Sequence, residues 1–351
     1  MSPDFKFRSL SIEDSSWVTE SWNDPEVAKY FMAYPRTEHD VKEEWIRKVV
    51  EEALEKTIVA ELNGEPAGSV SVEPEKGRCR HVAWLGIFVR RKHWGKGVGS
   101  ALMAKTIELA KGLGCRKLTL ATTEGNERAI RLYKKFGFNI EAYRSEDTYV
   151  NGLWKKEYFM SLELAPCEPK FNGAGFPQSD EGSQFTNSNK QDSKVRQLMD
   201  SDLDELWRLQ NCPESTKSSV KIPPITRKET QRWYERIRVK EGRFCYACFK
   251  SSQLLGYVQF RTGLLDAPNV YIEEIIVDVN RRPLETADIL ISAVKNFRER
   301  YGYRRIFTFI PQTSTIITKT LEKQGFKKTG ALRNYYFIDG CYVDAEFYEY
   351  P

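Results

Sequence analysis

Val82-Ala-Trp84-Leu-Gly-Ile-Phe88-Val89-Arg-Arg-Lys-His-Trp94-Gly95-Lys96-Gly97-Val98-Gly99-Ser100-Ala-Leu102 is the stretch whose reading decides the fold. Val82 to Val89 is apolar, β-branched and aromatic almost without interruption, the pattern of a buried strand. A basic turn follows from Arg90 to His93, then glycines at 95, 97 and 99. From Ser100 onward Leu102, Met103, Ile107, Leu109 and Ala110 recur at helical spacing. Strand, glycine loop and helix N-terminus in that order make an anion site. Glycine lets the backbone approach a ligand closely, and the first-turn N–H groups point outward with the helix dipole behind them. Arg90, Arg91, Lys92 and Lys96 add positive charge beside it. The loop lacks the Gly-Lys-Ser/Thr ending of a nucleotide P-loop and the dinucleotide Gly-x-Gly-x-x-Gly spacing.

A second block lies downstream of a strand at Lys117 to Thr122: Asn126-Glu-Arg-Ala129-Ile-Arg-Leu132-Tyr133-Lys-Lys-Phe-Gly137-Phe138. Trp94-Gly-Lys-Gly97-Val-Gly99 resembles the pyrophosphate loop of the GNAT superfamily of acyl-CoA N-acyltransferases. The second block is similar to that superfamily's Asn-x-x-Ala-x-x-Leu-Tyr-x-x-x-Gly-Phe signature. Asn23-Asp-Pro-Glu-Val, Trp45 and Asp147-Thr-Tyr-Val-Asn-Gly-Leu-Trp154 resemble the ribosomal-protein alanine N-acetyltransferase branch.

The chain has 351 residues, enough for two cores. Hydrophobic content of 40% and charged content of 29% are those of a globular protein, and a net charge of +5 is too dilute to argue for nucleic acid. No run of about 18 apolar residues argues for a membrane span, and the N-terminus carries no signal-peptide core. Seven scattered cysteines fit a reducing compartment, so the expected location is cytoplasmic. Cys245-Tyr-Ala-Cys248, the one Cys-x-x-Cys, lies in an apolar strand-like run and reads as packing; no metal is expected.

Further strands are expected at residues 5–12, Thr57 to Glu61 and Ala67 to Val72 around Asn63-Gly64, with a final pair flanking Asn151-Gly152. Helices are expected from Ser16 to Val27, Asp40 to Leu54, 98–112 and 126–136. The chain then repeats. An ungapped offset of 188 residues pairs Arg8 with Arg196, Asp14 with Asp202, Pro35 with Pro223, Trp45 with Trp233, Gly68 with Gly256, Val89 with Val277 and Gly137-Phe138 with Gly325-Phe326. Between the copies, residues 166–192 are rich in Pro, Gly, Ser and Asn, a linker composition. The expected fold is therefore α/β (α+β mixed sheet), two tandem GNAT-like domains at 1–165 and 193–351. Each has a mixed, mostly antiparallel sheet with flanking helices.

In the second copy Gly95 becomes Pro283, Gly97 becomes Glu285, Gly99 becomes Ala287, Asn126 becomes Ser314 and Tyr133 becomes Leu321. Pro removes an N–H and Glu puts an anion where a pyrophosphate would sit. That copy reads as degenerate, although Glu273 and Glu274 lie on its central strand, where superfamily members often carry a base.

The resemblance implies an acetyl-CoA-dependent N-acetyltransferase, with the donor held by Phe88, Val89, Trp94, Gly95, Lys96, Gly97, Val98, Gly99, Ser100, Asn126 and Tyr133. Backbone groups of Phe88 and Val89 would meet the pantetheine, the Val89 N–H would serve the oxyanion, and Asn126 would cap its helix. Tyr133 would be the catalytic acid toward the thiolate. The base is open among His81, Glu146, Asp147 and water. The acceptor is a primary amine, either a protein N-terminus or a small molecule. A non-catalytic acyl-CoA sensor is the contrasting class. The halves are expected to pack as a pseudo-twofold pair in a monomer.

Overall fold

The computed structural model describes residues 5–30, 57–150, 152–165, 193–240, 242–263 and 268–351. The expected helix from Asp40 to Leu54 with Trp45, residues Pro35 and Asn151, and the expected linker 166–192 lie outside them. The chain divides into two compact units, Met1–Pro166 and Cys167–Pro351.

The first unit is one seven-stranded sheet in the order β1-β2-β3-β4-β5-β7-β6. Its strands are β1 (Phe5–Ser9), β2 (Thr57–Leu62), β3 (Glu65–Pro74), β4 (Val82–Val89), β5 (Lys117–Thr123), β6 (Asn139–Val150) and β7 (Leu153–Glu163). Only β4 and β5 run parallel. A strand pair of that kind needs a crossover, and α3 (Val98–Gly112) supplies it, burying Val98, Leu102, Met103, Thr106 and Ala110. Helix α4 (Glu127–Lys135) follows β5. Leu85, Leu118, Leu120, Tyr133, Phe138 and Met160 join the core beneath these two helices. The other face carries α1 (Ser15–Asn23), whose Trp17 and Trp22 rings meet Phe88 at 5.7 and 6.1 Å.

The helix expected from Ser16 to Val27 is broken at Asp24. Pro25 has no N–H to continue the ladder, and it opens a second short helix, α2 (Pro25–Ala28), which Asp24 caps by accepting the Glu26 N–H at 2.9 Å. The first strand is also shorter than expected, because residues Ile12–Asp14 form a 3₁₀ turn.

The second unit repeats the sheet order as β8-β9-β10-β11-β12-β14-β13, with β11 and β12 as the parallel pair. Five elements sit at the same offset with the same bounds: β8 (Ser193–Gln197), β10 (Gln253–Thr262), β11 (Val270–Val277), α8 (Thr315–Lys323) and β13 (Lys327–Ile338). Helices α5 (Leu203–Gln210) and α6 (Arg227–Val239), strands β9 (Arg243–Lys250), β12 (Ile306–Pro311) and β14 (Cys341–Tyr350), and helix α7 (Pro283–Tyr301) complete it. Arg8 and Asp14 form a two-pronged ion pair at 2.7 Å on both prongs. Their counterparts Arg196 and Asp202 do the same at 2.6 and 2.8 Å. Cys245 and Cys248 fall in cores on opposite faces of β9, so they share no metal between them.

Candidate active site

Strands β4 and β5 pair over only three residues, Val82↔Lys117 to Trp84↔Thr119, and then part. On its other side β4 stays paired with β3 as far as Val89. The Arg90 N–H donates to the Ala67 carbonyl at 2.9 Å. Backbone groups alternate direction along a strand. Those of Phe88 therefore face β3 like those of Arg90, and those of Ile87 and Val89 face the gap. The expectation for Phe88 is corrected accordingly: its ring packs on α1 and its backbone groups turn away from the gap. The Val89 carbonyl accepts the Trp94 indole N–H at 2.8 Å, which ties the glycine loop to the mouth of the gap.

The loop turns through Gly95 and Gly97, whose φ values of +78° and +84° are left-handed and open to glycine with little strain. Gly97 is the N-cap of α3 and offers no capping side chain. Among the described residues the N–H groups of Gly95, Gly97, Val98, Gly99 and Ser100 meet no backbone acceptor, and the helix ladder starts at Ala101, which donates to Gly97 O. Donors gathered at the positive end of a 15-residue helix suit the two charges of a pyrophosphate. A side chain at Gly99 would press on Leu132 at 3.0 Å, so α3 and α4 approach closely there.

The surrounding cations differ from the sequence reading. Arg90 pairs with Glu20 at 2.5 Å, Lys92 with Glu65 at 2.7 Å, and Arg91 lies 3.7 Å from Asp24. Their charge is largely answered within the unit. Exposed Lys96 remains on the loop, and α4 contributes two cations that the motif did not single out. Lys135 Nζ donates to Ser100 Oγ at 3.2 Å, and the Arg128 guanidinium lies 4.0 Å over the Trp94 ring. They are seven residues apart, two turns along one helix face, which is the only signal the sequence held for them. His93 is buried beneath the loop, and burial followed by Lys92 and Lys96 lowers its pKa, so it adds no charge at neutral pH.

Tyr133 is buried with its ring 6.1 Å from Phe138, and burial pushes its phenol well above the ordinary value. It carries its proton throughout the neutral range. Asn126 occupies the N-cap of α4, but its side chain makes no cap bond and instead lies 3.5 Å from Thr122 Oγ1. The expected capping role is withdrawn. His81 sits just before the far end of β4, about 26 Å of extended chain from Val89, where its carbonyl accepts Arg116 and Lys117 N–H groups. It contributes nothing to the gap. Glu146 is the left-handed residue of a bulge in β6 (φ 50°), and Asp147 is buried behind it.

The second unit closes each of these features. Helix α7 starts at Pro283, three residues earlier than α3 in the shared register, so the loop has become helix. Arg282 takes the left-handed cap and its side chain pairs with Glu285 at 3.1 Å. Ile275, counterpart of Ile87, has its carbonyl capped by the Ser218 hydroxyl at 2.8 Å. Exposed Gly86 is replaced by Glu274, buried and bonded by Ser219, by Lys221 at 2.9 Å and by Tyr257 at 2.8 Å. Burial raises the pKa of Glu274, but Lys221 and the hydroxyl donors prevail and hold it below the usual carboxylate range.

Residues 17–138 match the Acetyltransferase (GNAT) family and residues 195–346 the Acetyltransferase (GNAT) domain. The chain belongs to the GNAT acetyltransferases, in two tandem copies, and is an acetyl-CoA-dependent N-acetyltransferase. An L-amino acid N-acetyltransferase of Escherichia coli is 28% identical over 156 residues, 44% of this chain and 94% of that protein. A spermidine N(1)-acetyltransferase of the same organism is 28% identical over 160 residues, 45% of this chain and 84% of that protein. A solved ribosomal-protein-alanine N-acetyltransferase from Brucella melitensis is 23% identical with a TM-score of 0.39, covering 45% of this chain and 99% of that one. That likeness is too slight to bear on the acceptor. Among the described residues no helix is long and apolar enough to cross a membrane, and no cluster of metal-binding side chains is present.

Proposed function

We propose that the first unit alone is catalytic and that it acetylates a small-molecule primary amine. The observation that carries this is the difference between the units: among the described residues five loop N–H groups of the first meet no backbone acceptor, whereas in the second the loop has become helix and the Ile275 carbonyl on the counterpart edge is capped by Ser218. The pyrophosphate would lie on Gly95, Lys96, Gly97, Val98, Gly99 and Ser100, with Lys96 and Lys135 screening its charge. Pantetheine amides would pair with Ile87 and Val89, between Asn126 on one wall and the Trp94–Arg128 stack at the mouth. Acetyl-CoA supplies an activated acyl group, so the protein's tasks are orientation and charge stabilisation.

The Val89 N–H, facing the gap, would serve as oxyanion donor. The Tyr133 hydroxyl offers its proton to the leaving sulfur. Its raised pKa keeps that proton in place and also disfavours the phenolate, so it serves best as a donor that strengthens as the sulfur gains charge. The amine enters from the α1 face, where Gly86 leaves the central strand without a side chain, and its surplus proton goes to solvent. Relatives named for amino acids and for spermidine support a small acceptor over a protein N-terminus.

Thiol release from acetyl-CoA with spermidine, L-methionine sulfone, thialysine and an alanine-terminated peptide tests the reading. A small amine should be turned over, and Tyr133→Phe should lower kcat about 100-fold with acetyl-CoA affinity kept. Turnover confined to the peptide would overturn the acceptor class. An unchanged kcat would assign Tyr133 to packing.

A further inference from the structure

On the α1 face of the first unit three ionisable side chains are buried together. Arg144 and Asp147 come from β6 and Glu157 from β7, with side-chain exposures of 13, 1 and 1%. Arg144 donates to Glu157 at 3.2 Å and stands 3.7 Å from Asp147. The β6 bulge between Arg144 and Thr148 brings them to one place. Glu157 Oε1 has no donor among the described residues, and neither does the hydroxyl of Thr123, its cross-strand neighbour, find a partner. Burial pushes the Glu157 carboxyl well above the usual range, and Asp147 pushes the same way against Arg144.

The fold does not require this cluster. The second unit builds the same strands and the same bulge, with Asn334 in the left-handed conformation where the first has Glu146. In the shared register its residues are Leu332 for Arg144, Tyr335 for Asp147, Ala345 for Glu157 and Pro311 for Thr123. A buried charge cluster is often no better for stability than apolar side chains of similar volume, so one that a twin domain discards is retained for another reason. The neighbours show what that reason is. Arg144 lies 4.9 Å over the Phe159 ring, and Phe159 meets Trp84 edge-on at 6.1 Å. Trp84 stands two residues from exposed Gly86 on the same face of β4.

We infer that Arg144, Asp147 and Glu157 are positioning residues of the acceptor site, holding Phe159 and Trp84 as an aromatic wall beside Gly86 and selecting an amine that arrives as a cation. The face of an aromatic ring attracts an alkylammonium and gives nothing to the carboxylate of an amino acid, so a wall fixed from behind by Arg144 and its two acids favours the cationic acceptor. The inference rests on the first unit being the catalytic one.

The test uses the full chain with spermidine and L-methionine sulfone as parallel acceptors. Wild-type kcat/KM should favour spermidine by about tenfold or more, the worth of one charge-assisted contact. Arg144→Leu/Asp147→Tyr/Glu157→Ala imports the second unit's solution. It should stay folded and bind acetyl-CoA within about twofold, while KM for spermidine rises about 30-fold or more and kcat changes less. Arg144→Ala, which frees the Phe159 ring, should raise that KM about tenfold, and Arg144→Lys should recover part of it. An unchanged spermidine KM in the triple variant, its failure to fold, a wild-type preference for the sulfone, or turnover of neither amine would each overturn the inference. A wild-type chain that binds no acetyl-CoA would instead remove the catalytic reading beneath it.

Discussion

Gly68 and Gly256 hold one position of the duplicated fold, and Gly95 and Gly97 hold two others; only the first kind survives in both units. A Cβ at Gly68 would lie 2.5 Å from the Phe88 carbonyl, and at Gly256 2.6 Å from the Ile276 carbonyl. Neighbouring backbone forbids a side chain there whatever the domain does. At Gly95 a Cβ would meet nothing, and at Gly97 only the Phe5 ring at 3.8 Å. The duplication thus separates two reasons for a glycine. One is set by packing within the sheet and persists. The other, room for a ligand against bare N–H groups, ends when the ligand is lost. The Arg8–Asp14 and Arg196–Asp202 pairs recur in both units, whereas Tyr133 and the buried charges around Glu157 have apolar or uncharged counterparts in the second.

That separation can be broken experimentally. The largest effect is expected from Gly97→Glu, the residue of the second unit. It puts a carboxylate at the anion site and a Cβ in a left-handed backbone, and should weaken acetyl-CoA binding at least about 1,000-fold in calorimetry. Glu274→Gln attacks the filled counterpart of Gly86. Acetyl transfer should be unaffected, whereas unfolding of the second unit at pH 7 should cost about 3 kcal/mol less, since it strands Lys221. The sign with pH is fixed. The folded pKa of Glu274 is lowered, so its contribution is present above the unfolded glutamate value of about 4.3 and is lost as pH falls below it. Acid titration of the Gln variant should lack that loss; identical acid profiles would show that Glu274 is not held ionised. Smallest, Gly68→Ala and Gly256→Ala should each destabilise their unit by about 2 kcal/mol, because in both the added methyl strikes main chain. A much milder cost at Gly256 would break the equivalence of the two sheets.

Much of this was legible in the sequence because backbone requirements leave local marks. The apolar run of β4, the alternate glycines and the 188-residue register located the gap, the loop and the twin sheet, and strand bounds repeat because turns such as Asn63-Gly64 fix the hairpin lengths. What was not legible depends on residues brought together from distant strands. Asp147 read only as one open candidate for the base and nothing singled out Arg144 or Glu157, because it is the bulge at Glu146 that turns Asp147 inward beside them. The basic turn Arg90–Lys92 read as phosphate-binding, but Glu20, Asp24 and Glu65 already answer it. The cations nearer the loop, Arg128 and Lys135, belong to a helix whose motif pointed to Tyr133 instead.

The most direct test is the stoichiometry of acetyl-CoA on the full chain by titration calorimetry. The account predicts one site per chain, removed entirely by Gly97→Glu. Two sites, or one site that survives that substitution, would contradict it.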